Sequence, residues 1–487
     1  MADTSVMKDI RGDDDAQLAA MGHKAELKRN FSLLSMLGLA FAILNSWTAL
    51  SASLSLSLPS GGCLPTDLVF YRLDHGRWLV DNTIGLQLAL TATGGLLGSE
   101  LILGIISLMH PTFEAQRWHQ FLIYTGYNIA AFIINAIMNN GLPYFTKGAF
   151  IWSLSGFAIV SITLLACSSP NYNSGEFVFG KFINETGWPD GVAWLLGLLQ
   201  GGLGLTGFDG VAHMIEEIPN PSVVGPKIMI GCVCIGTVTG SIFLIVLLFV
   251  AGDIYKVIDS AAGCLLQIFK DATGNNAGSI CLLMFPLVCI LFAATSIMTT
   301  SSRMIYAFAR DGGLPASPFF SRVHPKLNVP LNALYLTFAT ITVFGLIFLG
   351  SSSAFNAIIS SSVVMLDIAY GIPIAVNCLR GRTMLPERSF VLPNTLGWIA
   401  NIIALAYISL TTVLFLFPPV LPATGSSMNY CVAAFGIILV ISTFQWVVDG
   451  RKNFTGPRAD VDILAGVIEE VPTHTGTAET HGKSDGK

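Results

Sequence analysis

The chain contains 487 residues, of which 53% are hydrophobic and 11% are Asp, Glu, Lys or Arg, and its formal net charge is −5. A soluble globular chain carries about 25% charged residues, and a protein of this size would need them to cover its surface. With a mean hydropathy of +0.66, the composition excludes a soluble enzyme, a nucleic-acid-binding protein and a disordered chain. It predicts a polytopic membrane protein.

Eleven apolar segments are long enough to cross a bilayer, because a spanning helix needs about 20 mostly apolar residues. Backbone polar groups in lipid must be hydrogen-bonded internally, so we expect helices and an all-α fold. The predicted segments cover residues 33–58, 84–108, 120–139, 148–168, 192–215, 228–251, 279–302, 331–350, 354–378, 396–417 and 430–448.

The distribution of Lys and Arg predicts the orientation of the chain. In alternate connections counted back from the C-terminus, one side of the bundle holds 14 Lys and Arg residues and the other holds four. Because cytoplasmic loops are the more basic, we expect a transmembrane domain over 31–448 with cytoplasmic tails at 1–30 and 449–487. The expected location is the plasma membrane.

Two cytoplasmic ends require an even number of crossings, so eleven segments leave one crossing unaccounted for. The count fails between residues 59 and 83, inside an atypical stretch, 59–89, whose charged middle is costly to place in lipid. Either the N-terminal helix is inverted or this stretch does not belong to an intact molecule. The charged residues are Asp67, Arg72, Asp74, Arg77 and Asp81.

A glycine-rich run, 201–210, lies inside the apolar segment 192–215 and contains five glycines in ten residues. Glycine costs about 1 kcal/mol relative to alanine inside a helix, so the run predicts an interrupted helix. An interruption at membrane depth is tolerable where it faces a cavity or a ligand, and transporters use such breaks as substrate sites. The alternative is close helix packing through small residues.

Asp209 follows the run at once, and an intramembrane carboxylate is costly enough to suggest a function. It would bind a cation, accept a proton or tie two helices together, while Phe208 would face a cationic ligand or pack in the core. A polar centre at 45–48 in the first helix would line the site, unless its hydroxyls bond back to helix carbonyls. The substrate-binding candidates are Asn45, Ser46, Trp47, Thr48, Thr206, Gly207, Phe208 and Asp209.

Two further carboxylates, Glu100 and Asp367, lie in apolar segments and are weaker candidates. Charged residues also cluster at the ends of two helices, where they would form a gate network or a solvated face. These gate candidates are Glu216, Glu217, Arg303, Arg310 and Asp311.

A glycosylation sequon begins at Asn184, in a loop expected to lie outside the cell. The sequence contains no phosphate-binding loop, no metal-ligand spacing and no catalytic motif in a suitable setting. We therefore expect no enzyme activity, no cofactor, no metal and no nucleic-acid partner.

The stretch 302–315, from Ser302-Arg303 to Leu314-Pro315, resembles the signature of the amino acid/polyamine/organocation permeases after their eighth helix. The stretch 216–221, followed by Gly225-Pro226-Lys227, resembles the loop after the sixth. The chain is most similar to the fungal amino acid/choline permeases, which include GABA and choline carriers. This resemblance implies twelve helices: an inverted five-plus-five repeat and two extra C-terminal helices, with helices one and six unwound at mid-membrane.

The resemblance further implies a secondary transporter for an amino acid, GABA or a choline-like cation, coupled to protons and working by alternating access in the lipid bilayer. The solute would bind between the runs 45–48 and 201–210, closed by the third and eighth helices near Thr91–Gly95 and Thr295–Thr300. The rival interpretations are a non-transporting nutrient sensor built on a permease and a truncated, inactive permease.

The family pattern is broken after Pro59–Gly62, where relatives have a second helix and this chain has Cys63 to about Ala89. The second helix packs in the core bundle, so its loss would impair folding and transport. We expect a frame-shifted or mis-spliced gene model, or a decayed copy. A transcript that encodes these residues in frame across codons 58–92 would contradict the gene-model explanation.

Overall fold

The computed structural model describes residue 27 and residues 29–52, 80–383, 391–425, 428–445 and 447–448. The predicted tails lie almost wholly outside the described residues, as does most of the atypical stretch 59–89. Every regular element of the described residues is a helix.

Sixteen α-helices and one 3₁₀ helix follow one another along the described chain. They are α1 Leu33–Leu44, α2 Ser46–Ala52, α3 Val80–Met109, α4 Arg117–Ile137, α5 Leu142–Ser168, α6 Gly175–Gly180, α7 Asp190–Leu203, the 3₁₀ helix Phe208–Glu217, α8 Pro221–Val250, α9 Ile254–Ile258, α10 Cys264–Thr273, α11 Asn276–Arg310, α12 Ser317–Phe320, α13 Leu331–Gly350, α14 Ser352–Leu379, α15 Asn394–Leu414 and α16 Cys431–Gln445.

Nine helical segments of the described chain are long and apolar enough to cross a membrane. Each of the eleven predicted segments contains at least one helix. The two that fall short as spans are 192–215, which is interrupted, and 430–448, where the apolar helix Cys431–Val440 is short. The polytopic all-α architecture is therefore confirmed, while the exact inverted repeat stays a prediction.

The first predicted helix is interrupted at Asn45, between α1 and α2. Asn45 has a φ of 47° and a ψ of 34°, and its N–H caps α1 by donating to the Phe41 carbonyl. Asparagine is one of the few residues with a side chain that visits this left-handed conformation routinely. The polar centre of the first helix is therefore the point at which that helix breaks.

The glycine run interrupts the predicted segment 192–215, as its composition predicts. Helix α7 ends at Leu203, a turn follows, and the chain resumes as the 3₁₀ helix at Phe208. Gly207 precedes that helix with a φ of 96°, which residues with a Cβ rarely adopt.

The same run also allows the two interrupted helices to cross in close contact. A Cβ at Gly204 would lie 2.7 Å from Leu50 Cγ, and one at Gly210 would lie 2.6 Å from Ile43 Cδ1. Ile43 lies in the last turn of α1 and Leu50 lies on α2. Helix interruption and close packing, which the sequence analysis treats as alternatives, are therefore both present.

The interrupted pair lies at the centre of a bundle. The 3₁₀ helix packs against α1, α8 and α11, and α3 packs along α11. A buried apolar cluster joins α1 to the 3₁₀ helix and α8, with Phe41, Val211 and Met214 among its members. This packing holds the two breaks side by side.

Replacement of Gly207 by alanine should destabilise the fold. The substitution forces a Cβ into the left-handed region and places it 2.7 Å from Ile43 Cγ2, so we expect a loss of about 1–3 kcal/mol. The measurement is the thermal unfolding midpoint of purified protein in detergent.

Gly191→Ala provides the matched control, because a Cβ at Gly191 in α7 meets nothing within 4 Å. Equal midpoints for the two alanine variants would contradict the interruption at Gly207.

Candidate functional site

The backbone at the first interruption is held by local hydrogen bonds. Thr48 Oγ1 donates to the carbonyl of Asn45 at 3.0 Å and also contacts Asn45 Oδ1. The Ala49 N–H donates to the same carbonyl at 2.7 Å. Thr48 therefore bonds back to the backbone, which is the alternative role that the sequence analysis left open.

The two neighbouring candidates, Ser46 and Trp47, are fully buried. Ser46 Oγ has no hydrogen-bond partner within the described part of the chain, and it lies where a Cβ at Gly236 of α8 would contact it. Trp47 Nε1 donates to Ser153 Oγ at 2.9 Å, and its ring packs 4.9 Å from that of Phe243. In this conformation Trp47 anchors α2 to α5 and α8.

The second interruption places a carboxylate in the interior. Asp209 is 5% exposed and lies in the first turn of the 3₁₀ helix, where the helix dipole favours a negative charge. Its Oδ2 lies 3.3 Å from Nε2 of His213, four residues on. Its Oδ1 forms no hydrogen bond with any residue that the structure describes. A buried carboxylate oxygen without a hydrogen bond is costly, which keeps Asp209 a candidate for ligand binding.

An aromatic pair adjoins this carboxylate. The ring of Phe208 lies 6.0 Å from that of Tyr370 on α14, and the Tyr370 side chain approaches the Asp209 carboxylate. Thr206, partly buried, lies in the turn that precedes Phe208. Two predicted residues, Phe208 and Asp209, therefore lie beside Tyr370 of α14, and Thr206 and Gly207 directly precede them in the chain.

Helix α11 borders the break, as the resemblance implies for the eighth helix. A Cβ at Gly210 would lie 3.5 Å from Thr300 Cγ2. The Thr91 and Ser301 hydroxyls, 3.0 Å apart, join α3 to α11. Asn135 of α4 donates to the Thr295 carbonyl at 3.0 Å, so α4 is also tied to this part of α11.

A buried ion pair fastens the far end of the 3₁₀ helix. Arg303 Nε donates to Glu217 Oε1 at 2.9 Å, and the two side chains are 2% and 4% exposed. Arg303 Nη2 also donates to Asn139 Oδ1 at 2.9 Å, and Asn139 Nδ2 donates to the Asn328 carbonyl. One guanidinium therefore connects the 3₁₀ helix, α11 and two loops.

A second ion pair lies beside it and is more exposed. Arg310 donates to both carboxylate oxygens of Glu216, at 2.8 and 3.2 Å, and its guanidinium carbon lies 5.6 Å from the Tyr306 ring centroid. Asp311 follows α11 and donates its N–H to the Ala307 carbonyl. The five gate candidates thus meet at one end of the bundle, four of them as two ion pairs.

The sequon at Asn184 lies in a turn that is held by hydrogen bonds of the Asn184 side chain. Asn184 Nδ2 donates to the Trp188 carbonyl at 2.7 Å and to Asp190 Oδ1 at 2.9 Å, and Thr186 donates to Asn184 Oδ1. Thr186 is buried. Glycosylation stays a prediction, and in this folded arrangement both hydrogens of the acceptor amide are occupied.

A surface depression of about 230 Å³ lies where α1 and α5 begin, and none of the predicted substrate-binding residues lines it. The two helix interruptions stay the predicted position of the solute site. Among the described residues no group of three or more His, Cys, Asp or Glu side chains is placed to hold a metal ion.

Three residues near the breaks and the ion pairs were not predicted from the sequence, namely His213, Tyr370 and Asn139. His213 had a local signal, because it lies four residues after Asp209. Tyr370 and Asn139 had none, since each is far along the chain from the residues it meets. Asn139 is 164 residues from Arg303.

A family model for amino acid permeases matches residues 23–442. The chain belongs to the amino acid permease family. A choline transporter of Saccharomyces cerevisiae is 31% identical over 500 positions, covering 93% of this chain and 87% of the relative. A putative amino acid/polyamine transporter of Macrophomina phaseolina is also 31% identical and covers 82% and 97% of the two chains. The amino-acid permease BAT1 of Arabidopsis thaliana is 26% identical over 91% and 96%.

The family and the helices together make the chain an integral membrane protein and a transporter rather than an enzyme. The alignment with the yeast choline transporter extends over 500 positions, more than the 487 residues of this chain. It therefore contains positions at which the relative has residues and this chain has none.

Loss of Arg303 should destabilise the protein far more than loss of Arg310. Arg303→Ala leaves Glu217 charged, buried and unpaired, which we expect to cost about 3–5 kcal/mol. Arg310→Ala breaks a partly exposed pair and should cost about 1 kcal/mol. Unfolding midpoints of the two purified variants provide the comparison.

Adding Glu217→Gln to Arg303→Ala should recover part of the loss, because it removes the unpaired charge. Equal losses for the two arginine variants would show that burial does not govern these pairs.

Proposed function

We propose that the protein is a secondary transporter for a small nitrogenous solute, namely an amino acid, GABA or a choline-like cation. The observation that carries this proposal is the Asp209 carboxylate, which is buried at the break and has one oxygen without a hydrogen bond among the described residues. An ammonium group is the natural partner for such an oxygen.

The helix ends around the break suit a solute with this chemistry. Helices α1 and α7 both end there, at Leu44 and Leu203, and helix carboxyl ends attract cations. Helix α2 and the 3₁₀ helix begin there, and their N–H groups attract a carboxylate. Phe208 and Tyr370 would add cation–π attraction for a quaternary ammonium. An amino acid would place its ammonium group at the helix carboxyl ends and its carboxylate at the helix amino ends. Choline, which has no carboxylate, would use the carboxyl ends alone.

The names of the relatives support the same solute classes. They include a choline transporter and an amino-acid permease. We place the solute contacts on residues 45–46 and 206–209. Trp47 and Thr48 would stabilise the backbone at the break and would not contact the solute, because their polar atoms are already bonded to Ser153 and Asn45.

Alternating access would require the ion pairs at the end of the bundle to separate. Glu217 is carried by the 3₁₀ helix and Arg303 by α11, so movement of the interrupted pair relative to α11 would open this end. The Lys and Arg distribution favours the cytoplasm as the side reached. Proton coupling and a plasma-membrane location complete the proposal.

Asp209→Asn should abolish concentrative uptake, because a neutral amide cannot hold an ammonium group as the carboxylate does. The assay is uptake of labelled choline, GABA and common amino acids by proteoliposomes that contain the purified protein, with each unlabelled solute as competitor. Asp190→Asn is the control, since this carboxylate is exposed at the start of α7 and should leave uptake unchanged.

Normal uptake by Asp209→Asn would end the proposed role of this residue. A folded wild-type protein that moves none of these solutes would instead favour the sensor or the inactive permease.

A further inference from the structure

Asp367 is a second carboxylate in the interior, and the site described above does not use it. It lies near the middle of α14 and is 9% exposed. Thr411 Oγ1, on α15, donates to Asp367 Oδ2 at 2.7 Å. Asp367 Oδ1 accepts no hydrogen bond within the described part of the chain.

No cation stands opposite this carboxylate. Helix α14 packs against α3, α13, α15 and α16, and these five helices of the described structure contain no Lys, Arg or His. The 3₁₀ helix reaches α14 through Phe208, and its Asp209 and His213 are already paired. Glu100 is turned to Gln120 on α4. The other ionisable residues of the four neighbouring helices are Asp81, Tyr335, Tyr407 and Cys431.

A structural role alone does not require a carboxylate here. An asparagine would accept the same hydrogen bond from Thr411 without placing a charge in an apolar bundle, where an uncompensated anion is costly. Of the two residues, only aspartate binds and releases a proton. Protonation also removes the cost of the charge.

Asp367 is linked to the solute site through its own helix. Tyr370 follows one turn later, its ring lies 6.0 Å from that of Phe208, and its side chain approaches Asp209. A change in how α14 packs against α15 would therefore also move Tyr370, which lies beside the break.

We propose that Asp367 is the proton-binding group of the transport cycle, separate from the solute-binding carboxylate Asp209. The assignment rests on the proposed transport function. One proton from the aqueous phase that supplies the solute binds Asp367 Oδ1 and neutralises the carboxylate. After the opposite side opens, the O–H bond breaks and the proton leaves to that side. One proton thus crosses with each solute, and Asp209 stays available for the ammonium group.

The test separates transport from coupling in proteoliposomes with labelled choline, GABA and amino acids. Two assays are run on each variant: exchange at equal pH on both sides, and accumulation driven by a gradient of one pH unit. At one proton per solute, that gradient supports about tenfold accumulation. Asp367→Asn should keep exchange within about twofold of wild type, lose accumulation down to the equilibrium level, and abolish solute-induced acidification reported by a trapped pH dye.

Two further variants keep the result interpretable. Glu100→Gln is the matched control, because it neutralises a different carboxylate, on α3, which packs against α14, and should retain accumulation. Thr411→Val removes the hydrogen bond and leaves the carboxylate, so it should keep coupling with an altered pH profile. If Asp367→Asn does not fold, Asp367→Glu carries the test, with a shifted pH profile of accumulation expected and an unchanged profile overturning the assignment.

Accumulation and acidification by folded Asp367→Asn at wild-type levels would overturn the assignment and leave the proposed transport function intact. Loss of both exchange and accumulation by a folded variant would also overturn it, since Asp367 would then act in transport itself. Absence of exchange by the wild type contradicts the proposed function.

Discussion

The fold depends on the close crossing of two interrupted helices. A Cβ atom on Gly204 or Gly210 would not fit at this crossing. The Leu50 side chain packs against Gly204, and the Ile43 side chain packs against Gly210. Gly207, which lies between the two glycines in the chain, adopts the left-handed conformation. In lipid, a broken helix is tolerated only where its freed backbone groups find partners. The crossing keeps the two breaks inside the bundle, because each lies against the other and both are packed against α8 and α11. The position of Asp209 at the head of the 3₁₀ helix follows from this arrangement.

The far end of the same 3₁₀ helix is secured differently. Arg303 is buried, and it bonds Glu217 and Asn139 together. Such a network contributes most when every member has a partner, because a single buried charge left alone is costly. The neighbouring Arg310–Glu216 pair is more exposed and therefore easier to separate. The 3₁₀ helix is thus held by a glycine crossing at one end and by a guanidinium at the other.

Two interior carboxylates have contrasting surroundings. Asp209 has an imidazole beside it and lies at a helix N-terminus, both of which favour a charge. Asp367 has a hydroxyl beside it and lies among helices of the described structure that contain no basic residue. The proposed transport of a solute together with a proton would use one group of each kind. Tyr370, one turn from Asp367 and close to Phe208, links the two.

The sequence by itself determined the membrane architecture, the glycine interruption of segment 192–215 and a set of five charged residues at helix ends, of which four form the two ion pairs. These features follow from local properties: apolar length, glycine content and charge at helix ends. It left open whether the glycines serve a break or a contact, and it placed Trp47 at the site, where the structure turns that indole to Ser153. Only the tertiary structure decided that Tyr370 meets Phe208, that Asn139 completes the Arg303 network and that Thr411 bonds Asp367. Those contacts join residues 44 to 164 positions apart, and no pattern along one helix specifies which face of a distant helix will lie opposite.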